Sequence, residues 1–165
     1  MPAFPRRLRL VAALAAGLAL ATPLPAAACI LPDNIEDLRA ELLVHLNAER
    51  KAAGLKPLKI STKLQNAAQA HACDNADHRS ISHDSSDGGT LKTRLRRAGY
   101  PYRTAAENTG RGFATPKRAV EWWMGSDKHR TNILLKKIKE VGIGIAWSDA
   151  PDNKLHWILD FGASR

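Results

Sequence analysis

The sequence predicts an α+β fold, an antiparallel sheet covered by about four helices. Three observations carry this. Segments with helical spacing or strong helix-start signals fill much of the chain between residues 33 and 124. Two strand-like segments, Glu140–Trp147 and Leu155–Phe161, follow and are joined by a turn-rich connection. In the first of them Val141, Ile143 and Ile145 alternate with Gly142 and Gly144, so one face is apolar and the other bare. Glycines on a strand face mark close approach of another backbone. Two strands alone are marginal, so a third is expected among the loops.

Residues 1–28 stand apart. Arg6, Arg7 and Arg9 precede an apolar run from Leu10 to Ala21, and Ala26-Ala27-Ala28 stands just before Cys29. A positive start, a short apolar stretch and small residues at the cut describe a secretory signal peptide. The run is shorter than the roughly 20 residues a membrane helix needs. Lipid attachment at Cys29 is disfavoured, since Ala26 stands where Leu would be expected. The remainder, 29–165, is one domain, exported to the periplasm or beyond, with no later stretch apolar enough to cross a membrane.

Asp33 or Asn34 caps a first helix carrying Ile35, Leu38, Leu42, Leu43 and Leu46, stopped by Gly54. Pro57–Ile60 is a short edge strand. A second helix begins at Thr62, with Gln65 completing a capping box and an alanine-rich face at Ala67, Ala68 and Ala72. Arg79–Gly89 is a polar loop, and a short basic helix, Leu91–Ala98, ends at Gly99. Tyr100–Gly112 reads as a further loop. Thr115-Pro116 is a strong helix start, and that helix runs to about Met124. The chain then turns through Gly125-Ser126-Asp127 and restarts near His129.

The 25 Lys and Arg, less three in the leader, leave 22 against 16 acidic residues, a net +6. That balance favours weak attraction to anionic envelope polymers. No basic stretch interleaved with aromatics argues for specific nucleic-acid binding. Both cysteines, Cys29 and Cys73, lie in the exported part, and an even count in an oxidising compartment favours one disulfide. Closing that loop stabilises by roughly 4 kcal/mol on chain-entropy grounds.

His83 and Glu107 fall in polar loops and His129 at a helix start, so all three can reach a common cavity. Two imidazoles and a carboxylate suit a divalent metal such as zinc, and equally suit acid–base work. Each has a structural alternative: a loop hydrogen bond for His83, backbone pinning for Glu107, packing at the helix start for His129. Ser126 reads as a helix N-cap rather than a nucleophile, and no residue is identifiable that would orient a histidine for Ser–His–acid chemistry.

Ser82-His83-Asp84, Ala106-Glu107-Asn108 and Trp123 to Leu134, with Leu46 to Arg50 and Val141 to Gly144, resemble the signature blocks of secreted bacterial CAP-domain (SCP) proteins. The resemblance runs from about Leu42 to Gly162. It implies an α–β–α sandwich with a three-stranded antiparallel sheet. It also implies a central cavity with two histidines and two acidic residues that can hold a divalent metal. His83 and His129 would be the histidines, and metal ligands if any, and Glu107 the first carboxylate. Ser126 stands where the second would fall. The expected function is a non-catalytic extracytoplasmic binding module, monomeric, whose cavity takes a small ligand or a metal. Lipid, peptide and anionic envelope polymer are the partner classes. The alternative is a metal-dependent hydrolase of peptide or cell-wall material, using Glu107, His83 and His129.

Overall fold

A computed structural model describes residues 29–149 and 151–165, so the expected leader lies outside the described residues. The elements are α1 (Ile35–Ala52), β1 (Lys59–Ile60), α2 (Thr62–Asp77), α3 (Leu91–Arg97) and β2 (Tyr102–Arg111). After them come α4 (Pro116–Met124), α5 (Asp127–Ile133), β3 (Glu140–Trp147) and β4 (Leu155–Ser164). The sheet order is β1-β3-β4-β2. Strands β3, β4 and β2 are antiparallel, and the two-residue β1 adds a parallel fourth strand where three were expected.

Helices cover both faces. On one, Leu42 and Leu46 of α1, Val120 and Trp123 of α4 and Ile133 of α5 share a core with Val141, Ile143, Ile145, Leu159 and Phe161. On the other, Ala68, Ala72 and Ala76 of α2 pack with Ala146 and Ile158, while Leu64 and Ala67 join Leu95 of α3. The bare face of β3 has the expected cause. A Cβ on Gly142 would stand 2.0 Å from the Leu64 carbonyl carbon, and one on Gly144 2.1 Å from the Ala68 oxygen. The α2 backbone therefore rests on the sheet itself.

The open edge of β3 is covered piece by piece, which removes a template for edge-to-edge association. Ile60 of β1 pairs with Val141. Arg39 Nε donates to the Ile143 carbonyl at 3.1 Å. Gln69 accepts from Ile145 N at 3.0 Å and donates to Ile145 O at 2.9 Å, imitating a strand with one side chain. Trp147 N donates to Ile30 O at 2.8 Å. Ile30 is held there by the expected disulfide, Cys29–Cys73, which ties the start of the described chain to α2.

Three expectations change. Tyr100–Gly112 is not a loop but contains the ten-residue β2, so Glu107 sits on a strand. Its sequence lacks an apolar alternation, and pairing with β4 over nine residue pairs, from Tyr102–Ser164 to Arg111–His156, makes it a strand regardless. There are five helices among the described residues, because the stretch after Gly125 forms the short α5. Caps also differ. Thr115 accepts from Arg118 N at 3.3 Å behind Pro116, as expected. The second helix, however, has Ser61 as N-cap, and neither it nor Asn34 makes a side-chain cap bond.

Candidate functional site

Strand β2 lies at the edge of the sheet, and the candidate residues gather around its middle. Glu107 faces α2 and α3. Its side chain is 3% exposed, and its Cα partner on β4 is Asp160, itself opposite Gly142 on β3. Glu107, Asp160 and Gly142 thus form a row across the bare face, and the glycine leaves room for α2 to close over it.

Both oxygens of Glu107 are engaged. His83 Nδ1 donates to Oε1 at 2.7 Å, and Arg94 of α3 binds Oε2. Burial opposes the carboxylate charge. The His83 hydrogen bond and the Arg94 charge outweigh it, and the carboxyl lies below its usual range. Asp160 behaves oppositely. It is completely buried, and neither carboxyl oxygen has a well-formed hydrogen bond to the described residues. Burial, then the charge of Glu107 and a hydrogen bond to it, push its carboxyl well above the usual range.

His83 is exposed at 60% of its side chain. Its bond to Glu107 raises its pKa despite partial burial. The loop that presents it is pinned from below. His71 Nε2 and Asn75 Nδ2 donate to the Ser82 carbonyl at 2.9 and 3.0 Å. Arg94 Nη1 donates to the carbonyls of His83 and Gly89, both at 3.0 Å. Arg94 therefore neutralises Glu107 and holds the loop that carries its partner. His71 is buried with Nε2 3.9 Å from Glu107, and burial depresses its pKa, so it serves as a neutral hydrogen-bonding group.

His129 comes from the opposite side of β2. Asn108 Nδ2 donates to the His129 carbonyl at 3.1 Å, and Asn132 Nδ2 donates to the Glu107 carbonyl at 3.0 Å. These two amides fasten α5 to the edge strand. Burial, then the charge of His83, lower the His129 pKa. Its ring packs on Trp122 with centroids 5.0 Å apart and planes tilted by 38°, and Trp122 packs on Phe113 at 5.3 Å with a tilt of 42°. Trp122 remains 49% exposed, giving an aromatic shelf beside the imidazole. Phe113 and Trp122, with Arg118 and Glu121, line a depression of about 210 Å³. Ser126 is the N-cap of α5, as expected, though its side chain makes no capping bond.

Only two imidazoles, His83 and His129, remain as candidate metal donors, because Glu107 is already held by Arg94. The Arg94 guanidinium on Glu107 would set a fixed positive charge beside any cation, whereas the His83 Nδ1–H bond to Glu107 leaves Nε2 free, as in a metal-ligating imidazole. Structural zinc takes four ligands and catalytic zinc three with water. Among the described residues no group of three or more His, Cys, Asp or Glu side chains is arranged to hold one.

His83, Glu107 and His129 were all marked by sequence. Arg94, Asp160, His71 and Trp122 were not given their roles. Asp160 was detectable as an acid interrupting the apolar run Ile158-Leu159-Asp160-Phe161, and His71 with Asn75 as polar residues on an alanine face. Nothing distinguished Arg94 from its basic neighbours. His156 is core, neutral, with burial pulling its pKa down to about 4.

The profile of the cysteine-rich secretory protein family (CAP) matches residues 43–161. The uncharacterized protein YkwD of Bacillus subtilis is 34% identical over 113 residues, covering 68% of this chain and 44% of that protein. The uncharacterized membrane protein YlbC of the same organism is 29% identical over 64% of this chain and 30% of its own length. The chain thus spans less than half the length of the curated relatives it matches. Among solved structures, an outer surface protein of Borrelia burgdorferi superposes with a TM-score of 0.73 at 21% identity, over 84% of this chain and all of that one. A cysteine-rich secretory protein of Staphylococcus aureus gives 0.61 at 28% identity, over 77% of this chain and 38% of its own.

Proposed function

The chain belongs to the cysteine-rich secretory protein family, and on that premise we propose that it is a non-catalytic binding module, exported as residues 29–165. Its ligand site is the sheet edge formed by His83, Glu107 and His129, with Ser126 at the rim and Trp122 as an apolar wall. The observation that carries this is the double engagement of Glu107 by His83 and Arg94. A carboxylate so held is a weak base, because its lowered pKa disfavours taking a proton. It orients and charges His83 instead, which offers an exposed cationic ring to an anionic or polar ligand. Export is supported by the leader-like sequence and by a structural relative described as an extracellular protein containing an SCP domain, from Bacillus anthracis.

The competing reading, a metal-dependent hydrolase of peptide or cell-wall material, rests on the two imidazoles at one edge. Zinc calorimetry beside an NMR screen with acetate, an N-acetylated amino sugar and a short peptide separates the two. The proposal expects no tight zinc binding. It expects ring shifts at His83, His129 and Trp122 with at least one organic probe, abolished in His83→Ala. One zinc per chain, lost in the His83→Ala/His129→Ala variant and accompanied by substrate cleavage, would establish the hydrolase instead.

A further inference from the structure

Most basic side chains near acids are paired with them. Arg39, Arg79, Arg94, Arg97, Arg111, Lys117, Arg118 and Arg130 all have a carboxylate within ion-pair distance. At the end of the sheet where β2 starts and β4 finishes, the pattern reverses. A cleft of about 640 Å³ is lined by Arg50, Lys56, Lys59, Lys136 and Lys139. A second, of about 500 Å³, is lined by Lys92, Arg96, Arg103 and Arg165. Among the described residues none of these nine has an ion-pair partner.

The clefts adjoin. Ser164 lines the first and Arg165 the second, and Tyr100 of the second donates to Glu140 of the first at 2.6 Å. Glu140 is the one acidic side chain lining either cleft, and its carboxylate is already held by that hydroxyl. Arg50 is 1% exposed and meets only carbonyls, Ile133 O at 2.7 Å and Lys56 O at 3.0 Å among them. A buried guanidinium without a carboxylate is costly in charge terms, and dipoles alone leave its field uncancelled.

We propose that this end of the molecule binds a linear polyanion, one strand running from the Arg50 cleft across the Tyr100–Glu140 seam into the Arg165 cleft. The proposal uses none of the residues of the His83 site and stands apart from that reading. Two concavities in series suit repeated charges along a chain, whereas one small anion meets only one of them. A bilayer surface is disfavoured because few large apolar side chains project beside the clefts. Of the exposed large apolar residues Ile30, Leu31, Val44, Ile60, Ile81 and Trp122, only Ile60 adjoins a lysine of the band.

Fluorescence anisotropy with labelled inorganic polyphosphate and labelled polyglutamate tests this on the purified chain. The variants are Lys59→Glu with Lys139→Glu in one cleft and Arg96→Glu with Arg103→Glu in the other, all exposed positions. Lys117→Glu with Lys154→Glu, on α4 and in the β3–β4 connection, has the same net charge as either pair. Each cleft pair should weaken binding about tenfold or more and flatten its salt dependence, while the control changes it by less than about threefold. Unaltered thermal unfolding of each variant shows the fold is kept. Equal loss in the control, no effect of either cleft pair, or binding to one-third phosphatidylglycerol vesicles as tight as to the polymers would overturn the proposal. Whichever polymer binds more tightly identifies phosphate or carboxylate as the repeated group.

Discussion

On one face of the sheet Val141, Ile143 and Ile145 share a core with Leu42, Leu46 and Trp123. On the other, Gly142 and Gly144 carry nothing, and the α2 backbone lies against them. The first face is stabilised by side-chain volume, where a small loss is absorbed by neighbours. The second is stabilised by closeness, where any added atom meets a main chain that cannot step aside. That closeness also covers the Glu107–Asp160 row beside Gly142, so the buried acid pair lies on the bare side while His129 stands on the other side of β2.

The sharpest contrast comes from one methyl group on each face. Gly144→Ala puts a Cβ 2.1 Å from the Ala68 oxygen, and should cost more than about 4 kcal/mol or prevent folding. Ile143→Val, its neighbour on the bulky face, should cost about 1 kcal/mol. Urea unfolding of both measures the difference, and equal costs would break the comparison.

Next in size is the ion pair under the bare face. Arg94→Met strands a buried carboxylate and releases the His83 loop, a loss of about 3–5 kcal/mol by the same urea assay. A loss under about 1 kcal/mol would mean Glu107 finds its stabilisation elsewhere.

Smallest, and opposite in sign, is Asp160→Asn. The folded carboxyl keeps its proton to higher pH, whereas the unfolded one releases it near the ordinary value of 3.8. Between 3.8 and the raised folded value the unfolded state binds fewer protons, so this group lowers stability as pH rises through that window. The neutral amide removes the effect. Stability above about pH 4 should be equal to or higher than in the parent, with a flatter profile; a slope as steep as the parent's would show that the folded carboxyl is not raised.

The two faces also differed in how far they could be read from sequence. The β3 alternation is visible because its period of two is local. The bare glycines point to a close backbone and the alanine-rich face to a helix able to come near, but only the structure shows that the one meets the other. The polar row was half visible: Glu107 and His83 stand in recognisable blocks, but Glu107 was placed on a loop because β2 has no apolar alternation. Its strand character comes from β4, some fifty residues away, and such pairing leaves no local trace. Arg94 and Asp160 matter only through what packs on them, so their spacing carries no signal. His129 is legible, while its tilted contact with an exposed Trp122 is not, since an aromatic beside Trp123 looks like core.

The central claim is that Glu107 serves His83 and leaves His129 uncharged. The NMR titration of the histidine rings tests it most directly. His83 should titrate above the ordinary value of 6.5 and His129 below it. The stability His83 contributes is then fully present below about 6.5 and lost as pH rises through its folded pKa. In Glu107→Gln the His83 midpoint should fall, and His129 should move little. Two rings titrating together, or a His83 midpoint indifferent to Glu107→Gln, would contradict the account.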